Sequence, residues 1–413
     1  MSTTQAPLPG APADQPERES RPMRLRDRVG ELLAHPLSTY YLLLGTTLLL
    51  LVLGLIMVMS ASAIESFRTF GNAYTLAERQ AMFAVIGVIA MMFVARTSPQ
   101  LWRGIAWLLL AVSFIFLVVV LVIGVAVAGQ RNWIDLFGPF RFQPSELAKF
   151  SLVVWGATML TRKDRPLDSW RSLLTPLLPV TFAMMGLILL EGDFGNAFMV
   201  LAISAGLLFA AGAPLRVFAW LGGLLTVMIL LLTVIAPYRL ERFTSWLHPG
   251  QDTLGGGWQV QQGQLALGSG GWWGVGLGAS REKWGALPEA HTDFIFPVIG
   301  EELGLVGTLS VIVLLGILAY AIFRLVRTTH DPFVRLATAG VGAWLVVQSM
   351  LNLGAVLGML PITGVPLPLV SYGGSSLVPT LVALGLLMSF SRQEPGARKA
   401  IRRRSTAEAM RRR

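Results

Sequence analysis

Apolar runs of about 17–25 residues recur along this chain, and that recurrence leaves it few folds. Each run is long enough to cross ~30 Å of hydrocarbon as a helix. Backbone N–H and C=O groups find no water in lipid, so they must pair within their own segment, which makes the runs helices. The alternating apolar and polar pattern of a membrane barrel is missing. Only 14% of the 413 residues are charged, where a soluble domain carries roughly 25%. The expected fold class is therefore all-α: a polytopic integral membrane protein.

Charge orders the runs. Residues 1–38 are rich in Pro, Ala, Arg and Glu and contain no apolar run, so they read as a disordered tail kept in the cytoplasm by Arg18, Arg21, Arg24, Arg26 and Arg28. The first run, Tyr41 to Met59, precedes Ala61-Ser62-Ala63, which resembles a signal-peptidase site. The run exceeds the ~7–15 residues of a signal core, so it reads as an uncleaved span. Further spans are expected at 80–95, 104–128, 146–161, 173–190 and 195–211, then a seventh ending near Pro237, an eighth at 295–325, a ninth ending near Leu357 and a tenth after Ser376. Arg96 and Arg103, then Arg162, Lys163, Arg165 and Arg171, then Arg324, Arg327 and Arg335 mark alternate connections as cytoplasmic. The result is ten transmembrane helices in a membrane domain covering 39–391, with a basic tail at 392–413 and both termini inside.

Three connections then share the outer face: 129–145, 359–376 and the large loop 238–293. A loop as long as the last is usually functional or disordered. This one keeps Trp, Leu and Val throughout, which favours function. The formal net charge of +10 is accounted for by tails and inner loops, so it calls for no nucleic acid. With no cysteine there is no disulfide, thiolate metal site or Cys nucleophile. His248 and His330 are too scattered for a metal site.

The densest polar chemistry runs from Leu287 to Gly304 and contains Glu289, His291, Asp293, Glu301 and Glu302. Charge at a membrane boundary is costly and needs a reason. Asp293 has two readings. It caps the eighth span, or it is a general base whose partly desolvated carboxyl titrates in a useful range. Glu146 and Lys149 share a helix face and form either a structural pair or a phosphate contact. Glu301 and Glu302 lie about two turns into the eighth span and point in different directions, so at most one faces a site. Arg131, Arg239, Arg242, Arg281 and Lys283 are basic residues on a face usually poor in them, as an anionic ligand such as a diphosphate would explain. The stretches Gly255-Gly256-Gly257 and Gly268 to Gly278 lack a P-loop lysine and a strand-to-helix context. They read as flexible backbone at the membrane surface, with Trp272 and Trp273 as interfacial anchors.

Gln143-Pro144-Ser145-Glu146, the run Leu287 to Glu302 and the run Leu360 to Ser376, in this order, resemble the SEDS family of cell-wall proteins (shape, elongation, division and sporulation). The resemblance spans about residues 40–391 and includes the ten-span plan. It implies a peptidoglycan glycosyltransferase that polymerises lipid II outside the cytoplasmic membrane, partnered with a class B penicillin-binding protein transpeptidase and other division proteins. Gly300 to Gly307 and Lys283-Trp284 look most like the division branch, FtsW, and so imply the septum. Ile362 to Pro368 also suits the elongation branch, RodA. Pro297 departs from the family pattern, but proline is tolerated in a first helical turn.

The family's essential acidic residue falls on Asp293, and its Glu and Lys on Glu146 and Lys149. The site set expected from all of this is Asp293 as catalytic carboxylate, with Glu146, Lys149, Arg131, Lys283, His291 and Ser371 around the substrate and no residues holding a metal. The acceptor's 4-hydroxyl would lose its proton to Asp293 and attack the anomeric carbon of the lipid-linked donor. The leaving diphosphate would be offset by basic residues or by a divalent cation, Mg2+ or Mn2+. A lipid II flippase and a non-catalytic division scaffold are the rival classes. Internal repeats of the transporter kind are not evident, which favours the enzyme.

Overall fold

The computed structural model describes residues 37–127, 130–138, 140–162, 170–235, 246, 255–285, 287–394 and 396–397. The tail at 1–36, most of the basic tail after Arg392, and Arg239, Arg242 and His248 lie outside the described residues. Ten long helices occupy the ten apolar runs. They are α1 (Ser38–Phe70), α2 (Thr75–Val94), α3 (Pro99–Ile123), α4 (Pro144–Leu160), α5 (Trp170–Leu190), α6 (Phe194–Ala210), α7 (Leu215–Ile235), α9 (Ile295–Thr328), α10 (Pro332–Val356) and α11 (Gly374–Ser391). A shorter helix, α8 (Gly256–Ser269), lies between α7 and α9 and packs on α9 and α10. Six of the helices, α1, α2, α3, α9, α10 and α11, are each long and apolar enough to cross a membrane. Leu177–Leu190, Phe194–Ala210 and Leu215–Val227 are shorter apolar helices. The protein is a multi-pass membrane protein, as its outward-facing Leu, Ile, Val and Phe side chains require.

Hydrogen bonds sort the connections onto two faces. At one end Glu394 accepts from Thr39 at 3.3 Å and from Thr328 at 2.7 Å. Arg103 pairs with Asp331 there, Arg392 donates to Ala95 O at 3.1 Å and Ser389 to Thr97 O at 2.6 Å. At the other end Arg131 N donates to Glu191 O, Trp246 Nε1 to Gly358 O and Tyr372 N to His291 O. The second group is the face that the charge bias assigns outward.

Two features of that face differ from expectation. The polar connection after α3 is a small antiparallel sheet, β1 (Val125–Val127), β2 (Gln130–Phe137) and β3 (Phe140–Phe142), in the order β1-β2-β3. It docks on α3 through Phe142 and Phe116, whose ring centroids lie 5.2 Å apart. Helix α1 also continues well past Met59, and its 33 residues make a rod of roughly 50 Å. Ala61 and Ser62 are buried inside this unbroken helix.

The larger correction concerns α9. Its 34 residues would measure roughly 51 Å, far more than a bilayer needs. Gly304 breaks it, at φ 67° and ψ −162°. Leu305–Thr328 alone reaches roughly 36 Å, so Glu301 and Glu302 sit at the break and not within the span. A break frees backbone groups that lipid cannot satisfy. The glycine stretch supplies the partners: Val275 N and Gly276 N donate to Glu301 O and Glu302 O, while Leu305 N and Val306 N donate to Gly271 O and Trp272 O. These glycines are therefore close-approach positions, not merely flexible backbone. A Cβ on Gly270 would lie 1.9 Å from Gly300 O, and one on Gly274 2.2 Å from Glu302 O. Trp272 and Trp273 remain exposed, as membrane-interface anchors should.

Candidate active site

Asp293 lies in the last turn before α9 and is partly exposed. The N-cap position belongs to the next residue, Phe294, so the carboxylate stands one place before the cap. The turn closes on Glu289, whose φ of 53° is left-handed and whose carbonyl accepts from Thr292 N and Phe294 N at 3.1 Å. Asp293 thus leaves the turn at an angle set by its own backbone. Its carboxylate faces the outer loop before α11: a Cβ built on Gly364 would lie 3.6 Å from Asp293 Oδ2.

His291, from the same turn, packs its ring on Tyr372 at a centroid distance of 5.4 Å. Burial holds the imidazole below its usual range, although Glu289 and Glu65 pull the other way. Burial also pushes the Tyr372 phenol up, opposed by the charges of Arg79 and Arg141 and by a hydrogen bond with Arg79. The charges of two arginines thus act on the tyrosine beside His291: Arg79 from the start of α2, which lies over the Phe70 ring, and Arg141 from β3, which pairs with Asp135 at 2.9 Å. The sequence reading missed both. Arg79 carried a usable signal, being a cation at the outer end of a span.

Glu146 and Lys149 are buried, with Lys149 Nζ 2.7 Å from Glu146 Oε1. The ammonium also lies 5.1 Å from the centre of the Trp344 ring. Trp344 Nε1 donates to Gln348 Oε1, and Gln348 Nε2 donates to Pro366 O at 2.8 Å. Asn352, one turn on, donates from Nδ2 to Val365 O at 2.9 Å and to Asp293 O at 2.8 Å. The buried pair and the carboxylate are thus joined through the stretch 363–366.

A second polar cluster abuts that stretch. Asp193 Oδ2 accepts from Asn132, Gln143 and Asn196 at 3.1, 2.8 and 2.9 Å, and Asp193 Oδ1 accepts from Asn196 N. Its charge acts on Glu146. Burial, and then Asp193, push the neighbouring Glu191 carboxyl up to about 9. Gly195 meets the loop so closely that a Cβ there would fall 2.7 Å from Thr363 O. The sequence showed this turn as an acidic loop and gave it no role.

Three of the expected substrate contacts are placed elsewhere. Lys283 is buried and its Nζ has three partners: Glu302 Oε1 at 2.9 Å, Gly278 O at 2.7 Å and Ser60 Oγ at 3.2 Å. An ammonium has three hydrogens, so none remains for a diphosphate. Glu301 is occupied as well, accepting from Ser280 Oγ and Arg281 N. These groups clamp the outer loop to α1 and to the broken helix. Ser371 turns inward, and its Oγ accepts from Leu367 N at 2.9 Å. Arg131 keeps its side chain exposed on β2 and uses its backbone N–H to hold Glu191 O. Among the described residues no three His, Cys, Asp or Glu side chains gather as a metal site.

Comparison with known proteins gives one consistent result. The family model described as "Cell cycle protein", FtsW/RodA/SpoVE, matches residues 40–395. The probable peptidoglycan glycosyltransferase FtsW of Mycobacterium tuberculosis is 41% identical over 94% of this chain and 74% of its own length. Stage V sporulation protein E of Bacillus subtilis is 39% identical over 85% and 96%. A chain from a peptidoglycan synthase complex described as coordinating polymerization and crosslinking superposes with a TM-score of 0.70 at 32% identity, covering 86% of this chain and 97% of that one. The rod shape determining protein RodA of Thermus thermophilus gives 0.64 at 30%, covering 86% and 97%. The chain belongs to the FtsW/RodA/SpoVE family.

Proposed function

We propose that this protein is a peptidoglycan glycosyltransferase that polymerises lipid II at the outer face of the cytoplasmic membrane, with Asp293 as its general base. The observation that carries the reading is the placement of the Asp293 carboxylate at the start of α9, facing the Gly364 loop, with His291 of the same turn packed on Tyr372. The acceptor's 4-hydroxyl gives its proton to the Asp293 carboxylate. Its oxygen bonds to the donor's anomeric carbon as the bond from that carbon to the diphosphate oxygen breaks. The undecaprenyl diphosphate leaves with the electron pair. Arg79, whose charge acts on Tyr372, supplies charge for that group, while Arg141 pairs with Asp135 at 2.9 Å. No step is assigned to a protein-held cation.

The buried Glu146–Lys149 pair supports the floor of the site through Trp344 and Gln348. Relatives named FtsW favour the division branch and with it a septal location, and the Arg and Lys bias of alternate connections favours both termini inside the cell. The match to a complex that couples polymerization to crosslinking supports a class B transpeptidase partner. The test is polymer formation from lipid II by detergent-solubilised protein with its cognate transpeptidase. Glycan strands made without a sealed membrane support the enzyme. Relocation of lipid in vesicles without polymer in either setting would favour a flippase.

A further inference from the structure

Asn352 is a buried amide on α10 with no charge and no place in the proposed chemistry. Both hydrogens of its Nδ2 are used. One holds Asp293 O at 2.8 Å, and the other holds Val365 O at 2.9 Å. A single side chain thus ties the residue carrying the carboxylate to the segment that the carboxylate faces. Gly364, next to Val365, forms the wall opposite Asp293 Oδ2 and has φ +70°. The far side of this segment is braced by Gly195, whose backbone approaches Thr363 O and the Val365 side chain. Asn352 therefore bridges the turn that carries the carboxylate and the segment that walls it.

Resting on the reading of Asp293 as the base, we propose that Asn352 is a positioning residue for it, fixing the distance between the Asp293 turn and the Gly364 wall. The amide is suited to this and an isosteric carboxylate is not. An Asp at 352 would set oxygens against two carbonyl oxygens. An aliphatic side chain would leave both carbonyls buried without donors. A displacement of ~1 Å between a base and its substrate proton can cost roughly 100-fold in rate.

The test compares wild type with Asn352→Ala, Gly364→Ala and Asp293→Asn, scoring lipid II binding and polymerisation separately. Asn352→Ala is expected to lower kcat roughly 10–100-fold with KM for lipid II unchanged within about 2-fold. Gly364→Ala disturbs the wall from the other side without touching the amide, and is expected to show the same split. It also covers the case in which Asn352→Ala fails to fold. Adding Asn352→Ala to Asp293→Asn is expected to cost nothing further, since a residue acting through another is not additive with it. Wild-type kcat in both single variants would overturn the proposal, as would a rise in KM with kcat unchanged. An active Asp293→Asn would overturn the base assignment itself, and so separates the two failures.

Discussion

Lys149 Nζ lies 2.7 Å from Glu146 Oε1, both side chains are out of solvent, and the Trp344 ring covers the ammonium at 5.1 Å. Breaking a buried pair by removing one member leaves the other charge uncompensated, at about 3–5 kcal/mol. Lys149→Met is therefore expected to lower the melting temperature in detergent by several degrees and to reduce polymerisation with it. The double variant Glu146→Gln/Lys149→Met should recover much of the stability. Equal melting of single variant and wild type would show that the pair carries no structural load.

Gly274→Ala tests the broken helix. The added Cβ would meet Glu302 O at 2.2 Å, and φ is +76°, a region that costs a non-glycine residue about 1–3 kcal/mol. Limited proteolysis should cut the 270–285 loop faster in the variant, with a lower melting temperature. Unchanged protection would mean that the glycine stretch does not depend on close approach.

Lys283 separates a clamp from a phosphate ligand. Lys283→Ala strands Glu302 among Ser60 Oγ and Ser280 N. The expected outcome is lost stability with KM for lipid II unchanged. A several-fold rise in KM at wild-type stability would restore the phosphate role.

Glu191 gives a pH dependence of known sign. Its folded carboxyl titrates at about 9 because of burial and Asp193. Below the ordinary carboxylate range both folded and unfolded states hold the proton and nothing is lost. As pH rises from about 4.5 towards 9 the unfolded chain releases its proton first, and stability falls. Glu191→Gln should flatten this slope and melt above wild type at pH 8, while matching it near pH 4.5. A wild-type slope in the variant would assign the dependence to another group.

What the sequence made legible was what is local. Apolar length located the ten helices, because hydrophobic burial acts segment by segment. The position of Asp293 at a helix start was also legible. The break at Gly304 was not, since its left-handed backbone is held by Trp272 and Gly274, some thirty residues earlier. The same holds for Lys283, whose partners come from α1 and α9, far from it in sequence. Asn352 gave no signal at all: an uncharged amide in a span has many structural uses, and only the contact to Asp293 O picks it out.

The most direct measurement is glycan polymerisation from lipid II by the purified protein with its cognate transpeptidase, wild type beside Asp293→Asn, with melting curves for both. The account predicts polymer from the wild type and a loss of at least ~100-fold from an equally stable variant. Undiminished polymer from Asp293→Asn would contradict it and move the base elsewhere on the outer face.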